Sequence, residues 1–197
     1  MYVNCEKVIL TDCDGVLLDW LNEFKTWMDY RGYKVIEKES NAYDISKVYG
    51  ITRDEGFEMV MEFNASSWML SLSPFGGAIH YVQKLHREYG YVFHCITSMS
   101  KDPKAKELRR MNLDNVFGKG IFTELECLDC GADKDEALEK YRDSSCWFFE
   151  DMPKNADTGL DFGLNSILLA QPHNADYTGA ARVAADWKEV FEIVVGL

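Results

Sequence analysis

Four short, continuously apolar runs, set apart by stretches of helical periodicity, constrain this chain more than any other feature. They are Val8-Ile9-Leu10-Thr11, Tyr91-Val92-Phe93-His94-Cys95-Ile96, Cys146-Trp147-Phe148-Phe149 and Ser166-Ile167-Leu168-Leu169. Each is too short for a stable helix, and most are rich in β-branched or aromatic side chains, so they read as strands buried on both faces. Gly120-Ile121-Phe122-Thr123 is a weaker fifth. Helical patterns fill the gaps. Residues 75–88 place Ala78, Ile79, Val82 and Leu85 on one face, and 103–111 and 134–141 follow similarly. Strand and helix therefore alternate from about residue 74 onward, the signature of a parallel sheet covered by helices on both sides.

Residues 18–72 break that rhythm and contain no convincing strand. Within them, 19–30 carries Trp20, Leu21, Phe24, Trp27 and Met28 at helical spacing, and 53–63 carries Phe57, Val60, Met61 and Phe63. The expected fold class is α/β: a Rossmann-like three-layer sandwich with a central parallel sheet and a small helical cap inserted after the first strand. The core would comprise residues 1–17 and 73–197, and the cap 18–72. An insertion there lies above the carboxyl ends of the strands, where open α/β sheets bind ligands, so it could act as a lid.

With 197 residues the chain buries roughly 70% of its unfolded surface and needs no disulfide or metal to hold a core. Its 33 acidic against 21 basic residues give a formal charge of -12, which argues against duplex nucleic acid and anionic lipid as partners. No apolar run approaches the ~18 residues of a membrane span, and Met1-Tyr2-Val3-Asn4-Cys5-Glu6-Lys7 lacks the basic head and apolar stretch of a leader. Six cysteines, several of them (Cys13, Cys95, Cys146) in or beside apolar runs, fit a reducing cytoplasm better than a disulfide scaffold. Cys127-Leu128-Asp129-Cys130 has metal-pair spacing, yet a structural zinc needs a second pair and the four histidines are scattered, so the pair reads as ordinary thiols.

Three of the apolar runs deliver acids or hydroxyls to one sheet edge. The first is followed by Asp12-Cys13-Asp14-Gly15-Val16, the second by Thr97-Ser98 and the third by Glu150-Asp151. Turn propensity explains any one of these endings, but not all three together. Carboxylates that converge repel one another unless a cation or a shared proton holds them, and hard oxygen donors suit Mg²⁺. A phosphate dianion approaching an aspartate meets repulsion of about 4 kcal/mol per charge pair at 4 Å and an effective dielectric near 20, which a metal and a lysine must offset. Lys134 stands at the start of a helix leading into the Asp151 strand; its alternative is a solvated surface lysine.

These residues resemble the haloacid dehalogenase (HAD) superfamily of phosphatases. Asp12-Cys13-Asp14-Gly15-Val16 is similar to its first motif, Thr97-Ser98 to its second, Lys134 to its third, and Glu150-Asp151 with Asn155 to its fourth, in the family's chain order over residues 7 to about 170. Asp14-Gly15-Val16-Leu17, Ser73-Pro74-Phe75-Gly76-Gly77-Ala78, Pro172-His173-Asn174 and Asp186-Trp187-Lys188-Glu189-Val190 resemble the 5'(3')-deoxyribonucleotidases within it.

The resemblance implies a phosphoric monoester hydrolase with Asp12 as nucleophile, forming an aspartyl-phosphate, and Asp14 as acid/base. It implies phosphate binding by Thr97, Ser98 and Lys134, and Mg²⁺ held by Asp12, the main-chain carbonyl of Asp14, and Asp151. Two points depart from the family pattern. Glu150 precedes Asp151 where two aspartates or Gly-Asp are usual, and Lys104 or Lys106 competes with Lys134, because some relatives take their lysine from that region. Trp20 and Trp68 are candidates for stacking on a base, against the alternative that both pack the cap's own core. The expected substrate is a small phosphorylated metabolite such as a nucleoside monophosphate, with a sugar phosphate as rival. A non-hydrolytic phosphoacceptor module is a rival of another class, although its motifs run in a different chain order.

Overall fold

The computed structural model describes residues 7–36 and 44–197. The residues of the leader reading at 1–6, the start of the expected core and residues 37–43 of the expected cap lie outside the described residues. Six parallel strands, β1 (Val8–Thr11), β2 (Val92–Thr97), β3 (Phe122–Cys127), β4 (Trp147–Glu150), β5 (Asn165–Leu169) and β6 (Arg182–Ala184), form one sheet in the order β3-β2-β1-β4-β5-β6. Helices α4 (Ala78–Tyr89), α5 (Pro103–Phe117), α6 (Asp135–Leu138), α7 (Pro153–Asp161) and α8 (Trp187–Val195) connect and cover it. This is the α/β sandwich with a central parallel sheet that the apolar runs predict. No helix among the described residues is long and apolar enough to cross a membrane.

The strand order reverses at β1, which pairs with β2 on one side and β4 on the other. A crevice therefore opens beyond the carboxyl ends of β1 and β4, the position at which open α/β sheets take ligands. Every residue of β1 is buried, as its unbroken apolar run requires.

Three details differ from the sequence reading. β3 begins at Phe122 and continues to Cys127, where Glu124 and Glu126 alternate with buried Leu125 and Cys127; a strand with one wetter face shows no continuous apolar run. β6 is a three-residue edge strand with exposed Arg182 and Val183, too short and too polar to register as a pattern. Helix α4 starts at Ala78, not residue 75, because Gly77 sits at φ +82 and the amide of Ala78 donates to Phe75 O across a turn.

Between β1 and α4 lie α1 (Trp20–Tyr30), α2 (Ile45–Tyr49), α3 (Arg53–Asn64) and a 3-10 turn at Ser67–Ser71. Helix α1 is capped by Asp19, whose side chain accepts from the amide of Asn22, and α3 opens with a reciprocal Thr52–Glu55 capping box. The apolar row of α1 buries Phe24, Trp27 and Met28, but α3 turns Phe57 outward (54% exposed) and buries Phe63 and Asn64 instead. The two linkers to the core lie side by side, tied by Asp19 N donating to Ser73 O (2.8 Å) and Phe75 N to Leu17 O (3.0 Å). Side chains of these helices and of the sheet share one buried cluster, in which Phe24 and Phe63 belong with Ile9, Phe93 and Trp187.

Candidate active site

Asp12 follows β1 directly and is held by its own backbone, its amide donating to Phe149 O on β4 (2.8 Å) and its carbonyl accepting from Thr11 Oγ1 (2.7 Å). Its side chain lies at the crevice, almost buried. Lys134, the residue before α6, reaches the same place. Its ammonium is 1% exposed and lies 2.9 Å from Asp12 Oδ1 and 2.5 Å from Glu150 Oε1. Burial alone would lower the lysine pKa, and the Asp12 and Glu150 carboxylates outweigh that, so it is held charged above its ordinary value. Lys104 and Lys106, the competing lysines, are exposed on α5.

Glu150 has little freedom left. Its Oε1 accepts from Lys134 and from Asn155 Nδ2 (3.0 Å), and its Oε2 accepts from the amides of Asp151 and Met152 (3.0 Å each). Such a carboxylate orients its neighbours. Asp151 is fixed through its carbonyl, which accepts from Asn174 Nδ2 (2.8 Å), and its Oδ2 lies 3.2 Å from His173 Nε2. Burial raises the Asp151 pKa, and the bond to His173 acts against that rise.

One carboxylate oxygen each from Asp12, Glu150 and Asp151 lie within 4.8 Å of one another, three hard donors suited to a divalent cation. Because the lone pairs of Glu150 are already committed, the side chains best able to hold an ion are Asp12 and Asp151. The Asp14 carboxylate is not part of this trio. It lies on the loop beyond, 2.7 Å from Nη2 of Arg109, and burial lifts its pKa to about 6 against the pull of that guanidinium. Gly15, at φ +83, allows Asp151 to pack against the loop, since a β-carbon there would stand 2.1 Å from Asp151 Oδ2. Gln171 Nε2 donates to Gly15 O (2.8 Å) and fixes the same turn.

The remaining candidates fall in several places. Thr97 ends β2, beside β1, and is 1% exposed. Ser98 uses its hydroxyl to donate to Ala132 O (2.8 Å), bracing the loop that leads to Lys134. Trp20 stacks on Phe24 with ring centroids 4.6 Å apart and donates from Nε1 to Asn64 Oδ1 (2.9 Å), and Trp68 lies against Tyr30 at 6.2 Å. Both rings contribute to packing within the cap, and each is half-buried. Cys127 and Cys130 are free thiols.

Arg109 went unnoticed in the sequence, although it left a signal. Ala105, Arg109 and Leu113 form an i, i+4, i+8 row on α5, and a charged residue in the middle of an inward row must find a partner. Pro172-His173-Asn174 stood out only as part of the resemblance; that His173 and Asn174 meet Asp151, and that Gln171 meets Gly15, left no signal, because these contacts arise from a loop far along the chain.

No protein-family model matches the chain. An uncharacterized 32.4 kDa protein from the Gp30-rIII intergenic region of Enterobacteria phage T4 is 25% identical over 144 residues, covering 70% of this chain and 50% of that protein. The chain thus spans about half the length of the curated relative it matches. A HAD family hydrolase from Deinococcus radiodurans R1, solved with bound phosphate and sodium, superposes with a TM-score of 0.64 at 17% identity, over 98% of this chain and 97% of that one. A predicted phosphatase from Clostridium acetobutylicum gives 0.66 at 15% identity, over 97% and 99%. A haloacid dehalogenase-like hydrolase from Streptococcus pneumoniae gives 0.66 at 15% identity, over 98% and 100%. By its six-stranded parallel sheet and its superposition on these structures along nearly its whole length, the chain has the fold of the HAD-superfamily hydrolases.

Proposed function

We propose that this protein is a Mg²⁺-dependent phosphomonoesterase in which Asp12 attacks the phosphorus of a small phosphate ester. The observation that carries the reading is the Asp12 carboxylate at the sheet's switch point, with the buried Lys134 ammonium 2.9 Å away and Asp151 converging on the same place. The phosphate bound in the Deinococcus hydrolase of the same fold adds support.

In the proposed reaction an Asp12 oxygen bonds to phosphorus as the bond to the leaving oxygen breaks, and Asp14 donates a proton to the departing alkoxide. Asp14 then accepts a proton from water as that water attacks the aspartyl-phosphate, and the phosphorus–Asp12 bond breaks to restore the carboxylate. Each proton transfer of this kind is typically worth ~10²–10⁴-fold in rate. Lys134 offsets the charge of the phosphoryl group and of Asp12, while the Thr97 hydroxyl and the Ser98 amide donate to phosphate oxygens. Asp12, Asp151 and the Asp14 carbonyl would hold Mg²⁺, which supplies charge neutralisation for the dianion when bound.

The finer reading is a nucleoside monophosphate, as in a 5'(3')-deoxyribonucleotidase, with Trp20 and Trp68 as the candidate rings to stack on its base. The buried free thiols Cys13 and Cys95 support a reducing, cytoplasmic setting. A panel of nucleoside and hexose monophosphates, with Mg²⁺ and with chelator, tests the proposal. Metal-dependent release of phosphate is expected from the wild type and none from Asp12→Asn folded to the same thermal midpoint. Equal turnover by that variant would remove Asp12 as nucleophile. Hydrolysis of hexose phosphates with nucleotides untouched would remove the nucleotidase reading alone, and a Trp68→Ala variant with unchanged nucleotide KM would remove the stacking role.

A further inference from the structure

We propose that Arg109 is a positioning residue, whose task is to aim the Asp14 carboxylate at the leaving oxygen. The proposal rests on the phosphatase reading given above.

Arg109 is 0% exposed on α5, so its guanidinium cannot touch a substrate. Nη2 lies 2.7 Å from both Asp14 oxygens, Nη1 donates to Cys13 Sγ (3.2 Å) and Nε donates to Met99 Sδ (3.4 Å). A thiol and a thioether are weak acceptors, which leaves the Asp14 carboxylate as the strong acceptor among these contacts. Burying a full charge for one carboxylate partner is a poor way to stabilise a fold, since an apolar side chain of similar volume would pack there without desolvation. What the pair does provide is direction. The Asp14 side chain retains 24% exposure at the mouth of the crevice and, without a partner, would be free to turn toward water.

The backbone beside it is already held, by Gln171 at Gly15 O, and Arg109 fixes the remaining torsions. The helix that carries the arginine is in turn tied to the segment between β1 and α4 by hydrogen bonds. Asn112 Nδ2 on α5 donates to Leu70 O (3.2 Å), and Met99, which receives Arg109 Nε, accepts at its carbonyl from Asn64 Nδ2 (3.0 Å). A proton donor must come within about 2.6–3.2 Å of its target, and a 1 Å misplacement costs about 10²-fold, so a buried clamp of this kind acts on rate through geometry.

The test compares the Mg²⁺-loaded wild type with Arg109→Met, Arg109→Lys and Asp14→Asn on two esters, glycerol 2-phosphate and 4-nitrophenyl phosphate. The alkoxide needs a proton to leave and the nitrophenolate does not, so kcat/KM for the first ester depends on Asp14 as acid far more than for the second. Arg109→Met should lower kcat/KM about 10²-fold on the glycerol ester and by less than about tenfold on the nitrophenyl ester. Arg109→Lys should recover part of that ratio, and should carry the same comparison if Arg109→Met does not fold. In the Asp14→Asn background Arg109→Met should add no further loss, as expected for residues that act as one unit. Equal losses on both esters, or additive losses in the double variant, would overturn the proposal in favour of a purely structural arginine. A crystal structure of the Arg109 variant should show the Asp14 carboxylate turned away with Asp12, Lys134 and Asp151 in place; an unmoved Asp14 would overturn it too. If the wild type hydrolyses neither these esters nor any member of the nucleoside and hexose monophosphate panel, the phosphatase reading fails, and the crystal structure still decides whether Arg109 positions Asp14.

Discussion

A β-carbon at Gly15 has no room, because it would meet Asp151 Oδ2 at 2.1 Å in a backbone conformation, φ +83, that side chains rarely adopt. Gly15→Ala should therefore cost about 1–3 kcal/mol of stability through strain and push Asp151 out of the acidic trio. Denaturant unfolding and a Mg²⁺ titration followed by thermal midpoint would measure the two effects; a variant with the wild-type metal shift would contradict the second. Lys134 makes a sharper case. With its ammonium removed in Lys134→Met, Asp12 and Glu150 remain as buried carboxylates without their cation, and the loss expected from breaking such a buried pair is about 3–5 kcal/mol. A loss below about 1 kcal/mol in urea unfolding would mean the lysine is not what neutralises them.

At the scale of elements, one buried side chain joins α1 and α3 to the loop that follows β2. Asn64, 2% exposed at the end of α3, accepts from Trp20 Nε1 and donates to Met99 O. Asn64→Leu leaves both groups unpaired, at a cost of about 1–3 kcal/mol each that urea unfolding would measure, and a stability equal to that of the wild type would contradict the link. On the opposite side of the sheet, β2 carries His94, whose Nδ1 lies 2.8 Å from Tyr141 Oη, with Glu124 and Lys140 nearby. Burial holds this imidazole below its ordinary value of 6.5; Glu124 opposes the shift and Lys140 adds to it. The unfolded chain therefore takes up a proton that the native state refuses, so this contribution is complete above 6.5 and is lost as pH falls through the native-state value. Urea midpoints at about pH 7.5 and about pH 5.5 should differ less in His94→Gln than in the wild type. An unchanged difference would assign the acid sensitivity to other groups.

Across the whole molecule, the shared cluster of buried side chains makes the cap and the sheet one cooperative body. Phe63→Ala, a change within the cap, should lower the stability measured by circular dichroism and by hydrogen exchange of β1 amides by the same amount, about 3–5 kcal/mol. Cap melting with β1 protection intact would show the two to be separate. The strands buried on both faces were legible in the sequence because a strand hidden from water must be apolar along its length, and so were the acids at the ends of β1 and β4, because a carboxylate following such a strand is conspicuous. The edge strands β3 and β6 were harder to see, since a partly wet strand has no unbroken apolar run, and α3 misled because its exposed Phe57 fits the helical period as well as a buried residue would. The sequence by itself determined the α/β alternation and which acids stand at the sheet's carboxyl edge, for these follow from local burial and chain order. Only the tertiary structure decided that Lys134 meets Asp12, that Glu150 spends its lone pairs on four donors, and that Arg109 reaches Asp14 from a helix 95 residues away in sequence. The physical reason is that a polar side chain is selected by the partner it meets in space, and the sheet's crossovers bring such partners together from distant parts of the chain.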